Sequence, residues 1–128
     1  MEFDWTAILL VIGIVICLLF MVSFAFAEEA DELWKITYYC SCTKCCGRWA
    51  DGYFASGKSV YLDGIACNWL PFGTRLQVAD NIYIVEDRGA KSIFGTKERP
   101  IKAIDIWLPS HQEALNRGVE WKHVKIAR

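Results

Sequence analysis

The sequence predicts a small, mostly β domain that closes as a barrel and follows an apolar N-terminal segment. The chain has 128 residues, which is enough for one domain at most. After the apolar segment come several short runs rich in β-branched and aromatic residues, separated by turns that contain Gly, Pro or Asn. A single short stretch has the spacing of a capped helix. Closure is expected because it leaves no exposed strand edges.

Residues 1–27 form a segment of their own, because residues 5–27 contain no charged side chain. A helix of that length would cover about 34 Å at 1.5 Å per residue, enough for a hydrocarbon core of about 30 Å. An uncleaved transmembrane anchor and a signal peptide cleaved after Ala27 are both open interpretations. In either case we expect residues 28–128 outside the cytoplasm, in the periplasm or cell envelope, either membrane-anchored or secreted.

The charge of residues 28–128 is nearly balanced. They hold all 14 Lys and Arg residues and 13 of the 15 Asp and Glu residues, which leaves a formal charge of +1. This balance gives no reason to expect a nucleic acid partner.

The first three strands are predicted from composition. Residues 33–39 are rich in aromatic and β-branched side chains, which favour a strand. Turns at residues 51–52 and 56–57 surround short extended pieces such as residues 58–62. A short buried strand is predicted at residues 65–67, and the Leu-Pro-Phe-Gly-Thr sequence at residues 70–74 predicts the turn before a strand at residues 75–78.

The remaining elements follow from periodicity and caps. Asp80-Asn81 predicts a hairpin turn into a strand at residues 82–87, and residues 91–100 read as a loop. Residues 101–108 predict a strand. Ser110 and Glu113 have capping-box spacing and Gly118 can end the helix that they begin. Alternating residues 119–126 predict the closing strand.

Five cysteines lie after residue 27, and four of them form a Cys-x-Cys-x-x-Cys-Cys cluster: Cys40, Cys42, Cys45 and Cys46. Disulfides are the first interpretation, because small extracytoplasmic domains often use them. A metal site made of these four cysteines is an alternative, although structural zinc sites usually take two pairs from separate turns. Free thiols are a third interpretation. We predict no cofactor.

Two carboxylates are the strongest candidates for chemistry. Asp105 lies in the apolar strand, where alternation places it on one face with Ala103 and Trp107, and Asp87 ends the strand at residues 82–87. A carboxylate among apolar neighbours is costly unless it is paired or used. Burial and a nearby carboxylate both raise a pKa, so Asp105 can remain protonated and donate to a glycosidic oxygen.

Structural roles are the alternatives for these residues. Asp105 could pair with Lys102 or Arg88, and Asp87 could bond its own backbone in a turn. Trp107 could stack on a sugar or pack in the core. We predict that both histidines are surface residues, at positions 111 and 123.

Six short motifs occur in an order that resembles the three-aspartate (3D) domain family. They are Ile36-Thr37-Tyr38-Tyr39-Cys40, Ala55-Ser56-Gly57, Ile65-Ala66, Leu70-Pro71-Phe72-Gly73-Thr74, Val85-Glu86-Asp87-Arg88-Gly89 and Ile104-Asp105-Ile106-Trp107. The family includes the C-terminal part of membrane-bound lytic transglycosylase A and proteins of phages and spore formers. The resemblance spans about residues 36–126 and implies a small six-stranded double-psi β-barrel with one short helix.

The resemblance also implies an activity and a site. The activity is cleavage of the β-1,4 bond between N-acetylmuramic acid and N-acetylglucosamine in peptidoglycan, with a 1,6-anhydro product. Asp105 matches the catalytic acid/base and Asp87 its carboxylate neighbour. Asn68 stands where the family has its first aspartate, and Asp63 is an outside candidate for that role. We expect the glycan to contact Asn68 and three further residues: Tyr38, Ser56 and Trp107.

Other functions remain open on the same sequence. Because Asn68 replaces an aspartate, the barrel could be a non-catalytic peptidoglycan-binding or envelope-structural module. A thiol or metal protein built around Cys40 to Cys46 is a third class. For the first two classes, the expected partners are peptidoglycan strands and, through residues 1–27, the membrane.

Overall fold

The computed structural model describes residues 2–25 and 31–127, and the side chains of residues 22–25 lie outside this description. Helix α1 covers Trp5–Ala25. Within the described residues, no helix is both long and apolar enough to cross a membrane, so the predicted transmembrane helix has no support here. The predicted cleavage site after Ala27 and the predicted start of the domain at Glu28 lie outside the described residues.

Six strands form a closed barrel in the order β1-β5-β2-β4-β3-β6. The strands are β1 Glu32–Tyr39, β2 Gly64–Ala66, β3 Arg75–Val78, β4 Asn81–Asp87, β5 Ala103–Trp107 and β6 Glu120–Ala127. Each overlaps one predicted strand, which confirms the predicted mostly β fold and its closure. Pairing is mixed: β1 is parallel to β5 and β2 is parallel to β4, whereas the other neighbours are antiparallel.

Three short α-helices follow strands or their loops: α2 Thr43–Cys46, α3 Lys91–Phe94 and α4 His111–Arg117. A 3-10 helix at Gly47–Trp49 follows α2 directly. Helix α4 confirms the predicted caps, because Ser110 Oγ accepts a hydrogen bond from the Glu113 N–H at 3.1 Å and Gly118 has φ 65°. The prediction of a loop at residues 91–100 was incomplete, because α3 lies within these residues. Residues 58–62 take part only in an isolated bridge between Tyr53 and Ser59, not in a strand.

The barrel interior is filled by alternate residues of the strands. Its fully buried side chains include Ile36, Ile65, Leu76, Val85 and Ile104. Burial of a side chain of this size stabilises the fold by about 1.5–3 kcal/mol. Because side chains alternate along a strand, Ile104 and Ile106 point into the barrel and Asp105 lies on the outer face of the sheet.

Glu86 is buried, with 1% of its surface exposed. Its carboxylate is 3.2 Å from Lys58 Nζ and accepts a hydrogen bond from Ser56 Oγ at 3.3 Å. Lys58 is mostly exposed, so solvent weakens this ion pair. These contacts nevertheless hold the segment that contains Ser56 and Lys58 against β4. Residues of this segment line the groove described below.

Candidate active site

Asp87 and Asp105 lie on either side of Ala66. Strand β2 runs between β4 and β5, and Ala66 is the register partner of both aspartates. Neighbouring strands are about 4.8 Å apart, so the two aspartate backbones are roughly 10 Å apart. Only a methyl group lies between them, which leaves room for a ligand above the sheet.

A groove of about 850 Å³ opens over these three residues. This volume lies within the usual range of about 300–1,000 Å³ for ligand sites. Two exposed aromatic residues line the groove, Trp49 with 68% and Tyr53 with 57% of their surface exposed. Aromatic faces left open to solvent in a groove can pack on the apolar faces of a ligand.

Asp105 is positioned to act as a weak acid near neutral pH. Its pKa is raised from the ordinary value of 3.8 to about 6, chiefly because burial disfavours the charged form. A hydrogen bond from Thr37 Oγ1 to Asp105 Oδ1, at 3.0 Å, opposes this shift, and the negative charge of Asp87 adds to it. A carboxyl group with this pKa can both donate and accept a proton under physiological conditions.

Asp87 is fixed by three hydrogen-bond donors. The Tyr39 hydroxyl donates to Oδ2 at 2.6 Å, and the backbone N–H groups of Ala55 and Arg88 donate to Oδ1 at 3.0 and 2.9 Å. Burial, together with the bond to Asp87, raises the pKa of Tyr39 far above its usual range, so its hydroxyl keeps its proton. Asp87 therefore serves as a rigid acceptor in the groove.

Asn68 lies outside the groove-lining set, and backbone groups use its amide. Nδ2 donates to the carbonyl oxygens of Gly89 and Gly95 at 2.9 and 2.8 Å, and Oδ1 accepts from the Gly89 N–H at 2.8 Å. These bonds hold the turn that follows Asp87. Asp63, the outside candidate for the missing aspartate, is exposed in a turn with φ 74° and also lies outside this set.

The other predicted glycan-binding residues also have protein partners. Tyr38 donates its hydroxyl to Glu120, Ser56 donates to Glu86, and the Trp107 indole N–H donates to Ser41 Oγ at 2.8 Å. None of the three predicted residues is among the described residues that line the groove. Trp107 packs beneath the groove with 9% of its surface exposed.

The groove-lining residues that sequence reasoning missed include Tyr39, Trp49 and Tyr53. Strand alternation places Tyr39 on the same face as Thr37 and opposite to Tyr38, but it does not show which of the two faces lies in the groove. Trp49 and Tyr53 lie between α2 and β2, where no periodic pattern marks them.

The cysteines do not form the predicted disulfides. All six lie within the described residues and are free. Three of the clustered cysteines, Cys40, Cys42 and Cys45, surround the His111 ring instead. The prediction that His111 is a plain surface residue was therefore wrong, because the ring is half-buried among thiols.

The raised pKa of Asp105 predicts a pH-dependent stability. Since the folded protein holds this proton more tightly than the unfolded chain, its stabilising effect is complete below about pH 4 and is lost as pH rises through about 6. The difference between a pKa of 3.8 and one of about 6 corresponds to roughly 3 kcal/mol. We expect the free energy of unfolding of the wild type, relative to Asp105→Asn, to fall by about this amount between about pH 4 and pH 7 in urea titrations. Parallel pH profiles for the two proteins would contradict it.

The groove thus combines a raised-pKa acid, a fixed carboxylate and open aromatic faces. A carboxyl group of this pKa beside a fixed carboxylate can exchange a proton with a ligand bound in the groove. In comparisons with known proteins, no family model matches the chain and no curated protein matches it.

Proposed function

We propose that residues 28–128 form a 3D-type double-psi β-barrel that acts as a peptidoglycan lytic transglycosylase. The observation that carries the proposal is Asp105, whose pKa is raised to about 6 in an open groove beside Asp87. Mixed strand pairing, with two parallel pairs in a six-stranded barrel, supports the double-psi topology. No cofactor is required for the proposed reaction.

In the proposed reaction Asp105 acts twice. As the acid, it donates its proton to the oxygen that bridges the muramyl and glucosaminyl residues, and the bond from the anomeric carbon to that oxygen breaks. As the resulting carboxylate, it takes the proton of the muramyl 6-hydroxyl, whose oxygen bonds to the anomeric carbon. The 1,6-anhydro ring forms, Asp105 regains its proton, and no second carboxylate has to activate water.

Asp87 contributes charge and position. Its carboxylate raises the pKa of Asp105, and it offers negative charge to the oxocarbenium-like transition state. The three donors that fix Asp87 mean that this charge needs little reorganisation during the reaction. Trp49 and Tyr53 are the residues that we assign to stacking against sugar rings.

We place the domain outside the cytoplasm, in the periplasm or cell envelope, because its proposed substrate lies there. The uncharged residues 5–27 favour an export leader at the N-terminus. The proposed partners are therefore glycan strands and, if the leader is retained, the membrane.

A non-catalytic glycan-binding module on the same barrel is the second candidate. Asn68 favours it, because its amide is occupied by backbone groups and adds no third carboxylate to the groove. Such a module would use the same exposed aromatic residues and would leave the glycan intact.

Incubation of purified peptidoglycan with the full-length chain, followed by mass spectrometry of the muropeptides, separates the two candidates. Anhydro-muramyl products are expected of the transglycosylase. Bound but uncleaved glycan would contradict the enzyme and support the binding module. Reducing-end products without the anhydro ring would indicate hydrolysis instead.

A further inference from the structure

Three cysteines and one histidine meet at the end of the barrel beside the groove. Strands β1 and β5 are parallel, so both chains leave the sheet at the same end. The Leu108 N–H donates to the Tyr39 carbonyl at 2.7 Å and holds these exits together. The chain after β1 supplies Cys40, Cys42 and Cys45, and the chain after β5 supplies His111, the first residue of α4.

The four potential ligand atoms are spaced like the corners of a metal-centred tetrahedron. All of them lie within 4.8 Å of one another. Cys40 Sγ is 3.6 Å from Cys45 Sγ, and His111 Nδ1 lies 3.3, 3.3 and 3.8 Å from the sulfur atoms of Cys42, Cys45 and Cys40. Zinc bonds of about 2.3 Å to sulfur and 2.0–2.1 Å to nitrogen would give tetrahedral edges of about 3.8 and 3.6 Å.

We propose that Cys40, Cys42, Cys45 and His111 bind one zinc ion. Three thiolates and an imidazole match the ligands that zinc takes in structural sites, whereas magnesium and calcium require oxygen ligands. Four protein ligands leave no open position for water, so the ion has a structural role. This site goes beyond the proposed glycan chemistry and does not depend on it.

Helix α2 holds two of the four potential ligands, Cys42 and Cys45, on one turn of the backbone. Helix α2 is closed by bonds from the N–H groups of Cys45 and Cys46 to the Cys42 carbonyl, at 3.1 and 2.9 Å. The turn therefore fixes the spacing of the two cysteines along the backbone.

Cys46 has a different role from its neighbours. Its thiol donates to the Cys40 carbonyl at 3.2 Å, and its side chain lines the groove. The sequence suggested a metal site made of four cysteines, with Cys46 as one ligand. In the structure His111, at the start of α4, lies at the fourth ligand position instead of Cys46. The ion would fasten the loop that carries Ser41 and Trp49 to α4, and so hold one wall of the groove.

Elemental analysis of the full-length chain, purified without chelators or a histidine tag, tests the site. We expect about one zinc per chain, and we expect His111→Ala and Cys42→Ser to reduce the zinc content about tenfold or more. Cys46→Ser is the matched control from the same cluster and should keep its zinc. Cobalt substitution gives a second readout on the wild type, with absorption typical of tetrahedral cobalt bound by sulfur and nitrogen.

Three outcomes would overturn the proposal. The first is wild-type protein that contains no zinc. This outcome counts whether intact-mass measurement shows the thiols to be reduced or paired as disulfides. Another is loss of zinc in Cys46→Ser with zinc retained in His111→Ala, which would indicate a four-cysteine site. The third is a spectrum of the cobalt-substituted wild type that lacks the absorption of tetrahedral cobalt. Because this spectrum is measured on the wild type, it tests the proposal even if a variant fails to fold.

Discussion

Replacing Asp105 by asparagine should lower the rate of anhydro-muropeptide formation by about 10²–10⁴-fold, the usual contribution of a general acid. Asparagine has nearly the same shape and can still accept the hydrogen bond from Thr37 Oγ1, but it has no proton to give the bridging oxygen. Binding of the variant to purified peptidoglycan should persist, because the exposed aromatic faces of the groove are unchanged. Product formation by mass spectrometry and co-sedimentation with peptidoglycan measure the two effects separately.

Asp63→Asn is the matched control for this substitution. It removes the same charge from an exposed turn with φ 74°, a conformation that asparagine tolerates well. The control should keep full activity. Equal activity of Asp105→Asn and wild type would remove Asp105 from the chemistry, and loss of activity in both variants would point to an effect of net charge.

The sequence was most informative where strand alternation decided the outcome. Asp105 faces the groove because it alternates with the buried Ile104 and Ile106. Asp87 faces the same groove through an irregularity in the β2–β4 register, because Val85 pairs with Ile65 and Asp87 pairs with Ala66. On β1 the same rule was not enough, because Tyr38 and Tyr39 are both aromatic and neither residue type shows which face is inside. An error of one residue in assigning the faces of a strand moves every side chain to the opposite face.

Long-range pairing explains the rest of what the sequence did not predict. His111 meets the cysteines only because β1 lies parallel to β5, and no local pattern specifies that neighbour. Helix α3 has four residues, too few for a helical period to appear. Asn68 was predicted to contact the glycan, yet its amide donates to the backbone of Gly89 and Gly95, which lie 21 and 27 residues away along the chain.

Trp107→Ala should destabilise the fold by about 3–5 kcal/mol, as expected for a large aromatic side chain removed from a core. The ring packs against Tyr39, Phe54 and Ala66 beneath the groove, and its indole N–H bonds Ser41. Trp49→Ala should instead leave stability within about 0.5 kcal/mol, because most of that side chain is exposed. Urea denaturation of the full-length variants measures both.

Binding of Trp49→Ala and Trp107→Ala to peptidoglycan shows which tryptophan stacks on the glycan. We expect Trp49→Ala to weaken binding to peptidoglycan about tenfold, which corresponds to ~1.4 kcal/mol of lost contact. Trp121→Ala is the matched control, since Trp121 is 61% exposed on β6 and lies outside the groove-lining residues. If Trp121→Ala weakens binding as much as Trp49→Ala, the glycan does not lie in this groove. If Trp107→Ala loses glycan binding without losing stability, Trp107 is the stacking residue, as the sequence first suggested. The groove would then have to open to expose its ring.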